Sequence, residues 1–283
     1  MKSSVLVSLA VATLLVSACG GGSGSSPTSA PTSSVPTTST PTSSAPTDRT
    51  VTRAVYYVVD TRTGFRLARE LRQVPASDPA VGAVEAMIAG PEDPDYATSW
   101  NPATRVVDVR RAPGAIEVDL SADARTASVG SGLAALMVQQ LVYTASAALG
   151  PQRPVQLLID GRPAGELWGV LTWTGPEHRD PPVDVRNLVQ IDVPAEGAAL
   201  HSPVTVRGDA AVFEATLPWR VLDTSGRVVR SGTAMTAEGQ RFSPYSFRVR
   251  LPAGRYVAEV REDDPSGGEG GPAMTDTRSF TVE

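Results

Sequence analysis

Apolar and polar positions along this chain recur with two periods, and the period changes several times between residues 50 and 175. RAVYYVVD, 53 to 60, is β-branched and aromatic and predicts a strand. TRTG turns the chain, and FRLARELRQV pairs back as a second strand. SDPAVGAVEAMIAGP then changes to helical spacing, with Val81, Val84, Met87 and Ile88 on one face. Ser77 or Asp78 caps this helix, Pro79 suits its first turn, and Gly90-Pro91 stops it. TRVVDVRRAPGAIEVDLS, 104 to 121, predicts a hairpin about Ala112-Pro113-Gly114. In its second arm Ile116, Val118 and Leu120 alternate with Glu117 and Asp119. A longer helix follows at 131 to 150, with Leu133, Met137, Val138, Leu141, Ala145 and Leu149 on a broad apolar face and Gly150 as its stop. PVQLLID and AGELWGVLTW close the segment as strands about Gly161-Arg162-Pro163. Strands, helix, strands, helix, strands predict an α/β sandwich over 50–175, with two helices packed on a sheet.

Residues 176–187, PEHRDPPVDVRN, are Pro-rich and charged and read as an interdomain linker. No long helical pattern follows. Seven short strand-like runs fill 188–283, from NLVQIDVP to TRSFTVE. Leu217, Trp219 and Val221 alternate, as do Phe247, Val249 and Leu251, and Tyr256, Ala258 and Val260. Turns at Thr224-Ser225-Gly226 and Pro252-Ala253-Gly254 join them. This spacing predicts an immunoglobulin-like β-sandwich. The fold class expected is therefore α+β in two domains.

The N-terminus has another character. Lys2 precedes an apolar stretch from Val5 to Val16, too short to cross a membrane and suited to a secretory signal. Residues 1–18 read as that signal, and 19–49 as Cys19 followed by a Ser/Thr/Pro-rich tether. The tether has almost nothing apolar to bury, so it cannot offset its chain entropy and is expected to be disordered. Fully extended it reaches at most about 90 Å, and as a flexible coil about 30 Å. It is either a passive spacer or a carrier of O-linked sugars.

Three resemblances sit on these residues. Val16-Ser17-Ala18-Cys19 resembles the bacterial lipobox. That implies cleavage between Ala18 and Cys19, a diacylglycerol on the Cys19 thiol, and anchorage to membrane lipid on the outer face of the cell membrane. The alternative is an ordinary signal peptide ending at Ala18. AMIAGP, GAIEVDLS, MVQQLVYTASA and VQLLIDGRPAGELWG occur in the order and spacing of the GerMN domain, the sporulation and spore-germination family. SPVTVRGDAAVFEATLPWRVLDTSGRVVRSG resembles the Gmad2 domain, an immunoglobulin-like domain of bacterial spore germination. Gly208, Ala210, Phe213-Glu214-Ala215 and Trp219 are its recognisable pieces. The GerMN resemblance carries no catalytic residue.

Composition narrows the chemistry. The net charge of −5 argues against a nucleic-acid partner. Lys2 is the only lysine beside 24 arginines, a bias that a GC-rich genome explains. Cys19 is the only cysteine, so no internal disulfide forms. His178 and His201 are the only histidines, and neither has the packed partners that a Ser-His-Asp site needs. No phosphate loop, dinucleotide fingerprint, G-x-S-x-G or H-E-x-x-H is present, so no cofactor and no catalytic residue is assigned. Glu262, Asp263, Asp264 and Glu269 are either a solvated loop or a cation site whose spacing fits no known loop. Trp100, Trp168 and Trp173 either stack on a sugar or pack in the core. Gln139, Gln140, Tyr143 and Ser146 form a helix face that is either solvated or a contact surface. The expectation is a non-catalytic, lipid-anchored envelope protein that docks other envelope proteins or the cell wall. The alternative is a peptidoglycan- or glycan-binding module touching its ligand through Trp100 or Trp168.

Overall fold

The structure is a computed structural model and describes residues 49–263, 269 and 272–283. Ala18, Cys19, the tether and Asp264 lie outside the described residues. The described residues fall within one compact unit, Pro46–Glu283.

The first half opens with a long antiparallel hairpin, β1 (Thr50–Thr61) and β2 (Gly64–Pro75), in register from Thr50↔Pro75 to Thr61↔Gly64. β1 is buried on both faces. Val55, Tyr57 and Val59 enter the main core, while Tyr56 and Val58 join Leu67, Leu136 and Tyr143 in a second cluster. Helix α1 (Pro79–Ala89) starts as its sequence predicts: the Asp78 carboxylate accepts from Val81 N at 3.2 Å, and Pro79 occupies the first turn. β3 (Tyr96–Ala97) pairs with β1 only at Val58 and Val59.

β4 (Val106–Arg111) and β5 (Ile116–Leu120) form the expected hairpin. Helix α2 (Ser131–Leu149) then carries the chain across to β6 (Val155–Ile159), which pairs parallel to β5 from Ile116↔Val155 to Leu120↔Ile159. A parallel neighbour needs such a crossover. By length and composition α2 could cross a membrane, yet its apolar side chains are core: Met137, Leu141, Val142 and Ala145 have no measurable exposure. Short strands β7 (Arg162–Pro163), β8 (Gly165–Leu167) and β9 (Leu171–Trp173) complete this half. Both helices do lie on sheet, but the strands divide into a β2-β1-β3 ladder, a β4-β5-β6-β7 ladder and a β8-β9 pair.

The second half is a two-sheet sandwich. One sheet orders β10 (Val189–Val193), β12 (Val204–Ala210) and β15 (Ser243–Val249). The other orders β11 (Ala198–Leu200), β17 (Thr275–Val282), β16 (Gly254–Arg261), β13 (Thr216–Asp223) and β14 (Val228–Met235). The seven predicted runs are all strands, and β11 is an addition that pairs parallel to β17. Val189, Ile191, Val206, Leu217, Val221, Ala258, Val260 and Phe280 meet between the sheets. Trp219 packs at the rim of this core, stacked on Phe247 with centroids 4.3 Å apart.

Gly208 shows why one glycine is needed. A Cβ there would lie 1.7 Å from the Gln190 carbonyl oxygen on β10, so that close approach admits no side chain.

Candidate functional site: a polar lock between the halves

The polar groups that gather in this molecule do so where the α/β half meets the β-sandwich. The first layer lies on α2. Because β3 reaches only Val58 and Val59, the buried backbone of Tyr56 lacks a strand partner on that side. Helix side chains supply one: Gln140 Nε2 donates to Tyr56 O at 3.0 Å, and Tyr56 N donates to Thr144 Oγ1 at 3.1 Å. Beside Gln140 on the helix, Gln139 grips the segment that leaves this half. Its Nε2 donates to His178 O at 3.1 Å and its Oε1 accepts from Asp180 N at 3.0 Å. Tyr143 donates its hydroxyl to Asp180 O at 2.6 Å. Arg179 lies 4.5 Å over the Tyr143 ring and donates to Ser146 Oγ and Tyr143 O, while burial lowers its pKa.

Gln139, Gln140 and Tyr143 are therefore not a contact surface; they are 6%, 0% and 1% exposed and already engaged. A buried polar group must find a partner, and these find backbone. Residues 176–187 are the connection expected, and they are fastened: helix α3 (Pro182–Val185) is held by Arg66, which donates to Val183 O and Arg186 O, and Asn187 N donates to Leu67 O. Trp100 is 3% exposed and meets Trp168 edge-on at 5.4 Å, while Trp168 Nε1 donates to Ala124 O. Trp173 is also buried. A sugar-stacking role for Trp100 is corrected by that burial, and Trp168 spends its polar edge on the backbone. His178 and His201 are exposed and stand in different places, on the connection and ahead of β12.

The second layer joins the halves directly. Arg69 of β2 grips Asp192 of β10 through two hydrogen bonds, at 2.8 and 2.6 Å. Such forked pairs are strong and fix orientation. Arg186 pairs with Asp209 at 2.6 Å, and Arg69 lies 3.3 Å from the same carboxylate. Gln190 acts as a peptide mimic toward β2: its Oε1 accepts from Arg69 N at 2.7 Å and its Nε2 donates to Arg69 O at 2.8 Å.

The third layer is the most enclosed. Asp93, Asp276 and Arg278 are 2%, 4% and 2% exposed. Arg278 contacts Asp93, approaches Asp276 at 3.1 Å, and donates to the Tyr96 hydroxyl at 2.9 Å. Tyr96 in turn donates to Asp276 Oδ1 at 2.6 Å, and Ile191 N donates to Asp276 Oδ2 at 2.5 Å. One cation faces two carboxylates here. Among the described residues Asp276 gathers donors from Tyr96, Gln190, Ile191 and Thr277 besides Arg278, whereas Asp93 has Arg278 and Asp95 N. Burial outweighs the Arg278 charge and pushes Asp93 up to about 7; Asp276 is also raised, by burial. A cavity of about 20 Å³, room for one water molecule, adjoins Glu70, Ile191, Asp192 and Arg278.

Residue spacing alone did not single out this lock, yet part of it carries a signal. In β17 the positions that alternate into the interior are Asp276, Arg278, Phe280 and Val282, so two charges occupy core-facing places in a strand. Charges at such places need partners. Among the described residues no group of three or more His, Cys, Asp or Glu could hold a metal ion. Glu262 is instead taken by Arg62 at 2.8 Å and by Met274 N at 2.9 Å. On the outer face of the five-stranded sheet, Arg220, Glu259 and Arg261 flank a groove of about 440 Å³. There Arg220 and Glu259 neutralise each other at 2.7 Å.

An α/β half locked by buried charge to an immunoglobulin-like half defines the class: a two-domain protein joined through polar contacts. Residues 54–165 match the family described as sporulation and spore germination, and residues 188–269 match the immunoglobulin-like domain of bacterial spore germination. The chain thus has the GerMN-plus-Gmad2 architecture and carries sporulation- and germination-related domains. Among solved structures it is similar to the first GerMN domain of the sporulation protein GerM from Bacillus subtilis. That match has 19% identity, covers 46% of this chain and 97% of that one, and has a TM-score of 0.36. The tandem GerMN domains of the same protein match at 16% identity over 71% of this chain and 62% of that one, with a TM-score of 0.36. CopC from Methylosinus trichosporium OB3b matches at 22% identity over 32% of this chain and 86% of that one, with a TM-score of 0.25. No curated protein matches the chain.

Proposed function

We propose that this chain is a non-catalytic, lipid-anchored protein of the cell envelope that presents its two domains to other envelope proteins as one rigid body, in sporulation, germination or envelope assembly. The observation that carries this reading is the lock itself. Arg69, Arg186 and Arg278 are spent on Asp93, Asp192, Asp209 and Asp276 between the halves rather than aimed at a substrate. A pre-formed orientation removes an ordering cost from any partner that spans both halves. Cys19, at the end of Val16-Ser17-Ala18-Cys19, supports the anchor, because two acyl chains hold a protein stably at a membrane where one does not.

The test separates the anchor from the docking role. Mass spectrometry of the mature chain is expected to find a diacylglycerol on Cys19, and Cys19→Ala to remove the chain from the membrane fraction as a mature product. Crosslinking in living cells is expected to capture the same envelope protein through both halves. An unmodified thiol at residue 19, or crosslinks that never reach beyond one half, would refute the corresponding part.

A further inference from the structure

The outer face of the β10-β12-β15 sheet is divided by charge. Val204, Val206, Tyr245 and Val249 point into the sandwich, so the residues between them point outward. Asp192 of β10 and Asp209 near the Ala210 end of β12 make part of that outward face acidic, and the α/β half covers them: they are held by Arg69 and Arg186. Toward the Val204 end of β12 and along β15 the face is basic and open. Arg207 of β12, Arg248 of β15 and the adjoining Arg250 are all exposed. Register places Arg207 opposite Ser246 and Arg248 opposite Thr205, so the two arginines are diagonal neighbours, about 7–8 Å apart. Arg250 follows Arg248 on the same side of the strand. Among the described residues no carboxylate pairs with any of the three.

What sets these three apart is that they share one sheet face, beside Thr205 and Ser246, in a chain of net charge −5. Other exposed arginines without a carboxylate partner, such as Arg105, Arg162 and Arg255, lie on separate elements. The sequence puts 29 residues between Cys19 and Arg49, and a coil of that length would reach about 30 Å, which bounds how far the folded residues stand from a membrane that holds Cys19.

We propose that Arg207, Arg248 and Arg250 form a docking face for the anionic headgroups of the membrane to which the chain is tethered. The proximity argument rests on the Cys19 anchor of the reading above; the binding chemistry does not. Each arginine near an anionic bilayer contributes about fivefold to partitioning, so the three together account for on the order of a hundredfold. With the tether this sets an orientation, sheet face toward lipid.

The test uses the unacylated chain from Gly20 to Glu283 in co-sedimentation with vesicles of phosphatidylglycerol mixed with phosphatidylcholine, and with phosphatidylcholine alone. Binding to the anionic vesicles only is expected. R207Q/R248Q/R250Q is expected to lose on the order of a hundredfold, with an unchanged melting temperature showing that it is folded. R105Q/R162Q/R255Q, the same charge change at exposed arginines elsewhere, is expected to lose much less. Absence of headgroup-dependent binding, or an equal loss in both triple variants, would overturn the proposal. So would a soluble phosphodiester polymer that binds the face while the vesicles do not. Because the lipid is absent from this chain, failure here leaves the anchor standing if Cys19 carries its diacylglycerol, and a bare Cys19 leaves the headgroup result standing.

Discussion

Removing Arg278 should expose what the lock costs and what it contributes. Arg278→Met keeps much of the volume but leaves Asp93 and Asp276 enclosed without the Arg278 cation, at 2% and 4% exposure. Stripping one partner from a buried ion pair costs about 3–5 kcal/mol. Against a typical stability of about 5–15 kcal/mol that is a large fraction. The loss should depend on pH. A carboxyl whose pKa is higher folded than unfolded favours folding below its unfolded value, and that contribution disappears as pH rises through the folded value. In the wild type Asp93 moves from 3.8 to about 7, which at 1.36 kcal/mol per unit is about 4 kcal/mol lost across that window. Without Arg278 both carboxyls rise further, so the deficit of the variant should be largest near pH 8 and shrink toward about pH 5. Urea denaturation at several pH values reads both effects. Should Arg278→Met not fold, Asp93→Asn removes the surplus carboxylate while leaving Arg278 with Asp276, and should flatten the wild-type slope between about pH 5 and 8. A deficit below about 1 kcal/mol, or one constant with pH, would refute this account of the lock.

Further tests address single contacts. Gly208→Ala should cost more than about 4 kcal/mol and abolish soluble expression, since its Cβ would meet Gln190 O at 1.7 Å; a soluble, folded product would contradict the register of β10 on β12. Gln140→Leu leaves the Tyr56 carbonyl buried without its donor and should lower stability by about 1–3 kcal/mol in urea, with no change expected from Arg162→Gln at the surface. Gln139→Leu should free the His178–Asp180 backbone and speed tryptic cleavage after Arg179; unchanged cleavage would mean that Tyr143 and Ser146 hold the segment alone.

Much of the fold is legible along the chain because its rules are local. Asp78, Pro79 and Gly90 mark both ends of α1 through capping geometry that involves only neighbours. Alternation in IEVDL predicts a strand with one dry face, and its burial alternates as expected. The polar residues of α2 were not legible in the same way. Gln139, Gln140 and Tyr143 have the composition of a wet face, yet β1 and the connection cover them. Helical spacing tells which residues share a face, but not what lies against it.

The sequence by itself determined the longer elements and their order, the division into an α/β half and a sandwich, and the position of the lone cysteine behind an apolar run; the short β3 and β11 came from the structure. Those properties follow from local sterics and from the periodicity of burial. The tertiary structure alone decided that the halves are clamped together, with Arg69 on Asp192, Arg186 on Asp209 and Arg278 between Asp93 and Asp276. The partners in these pairs are as far apart as residues 93 and 278. No local rule selects among two dozen arginines for a given aspartate; only packing, which removes water from some pairs and leaves the rest in solvent, makes that choice.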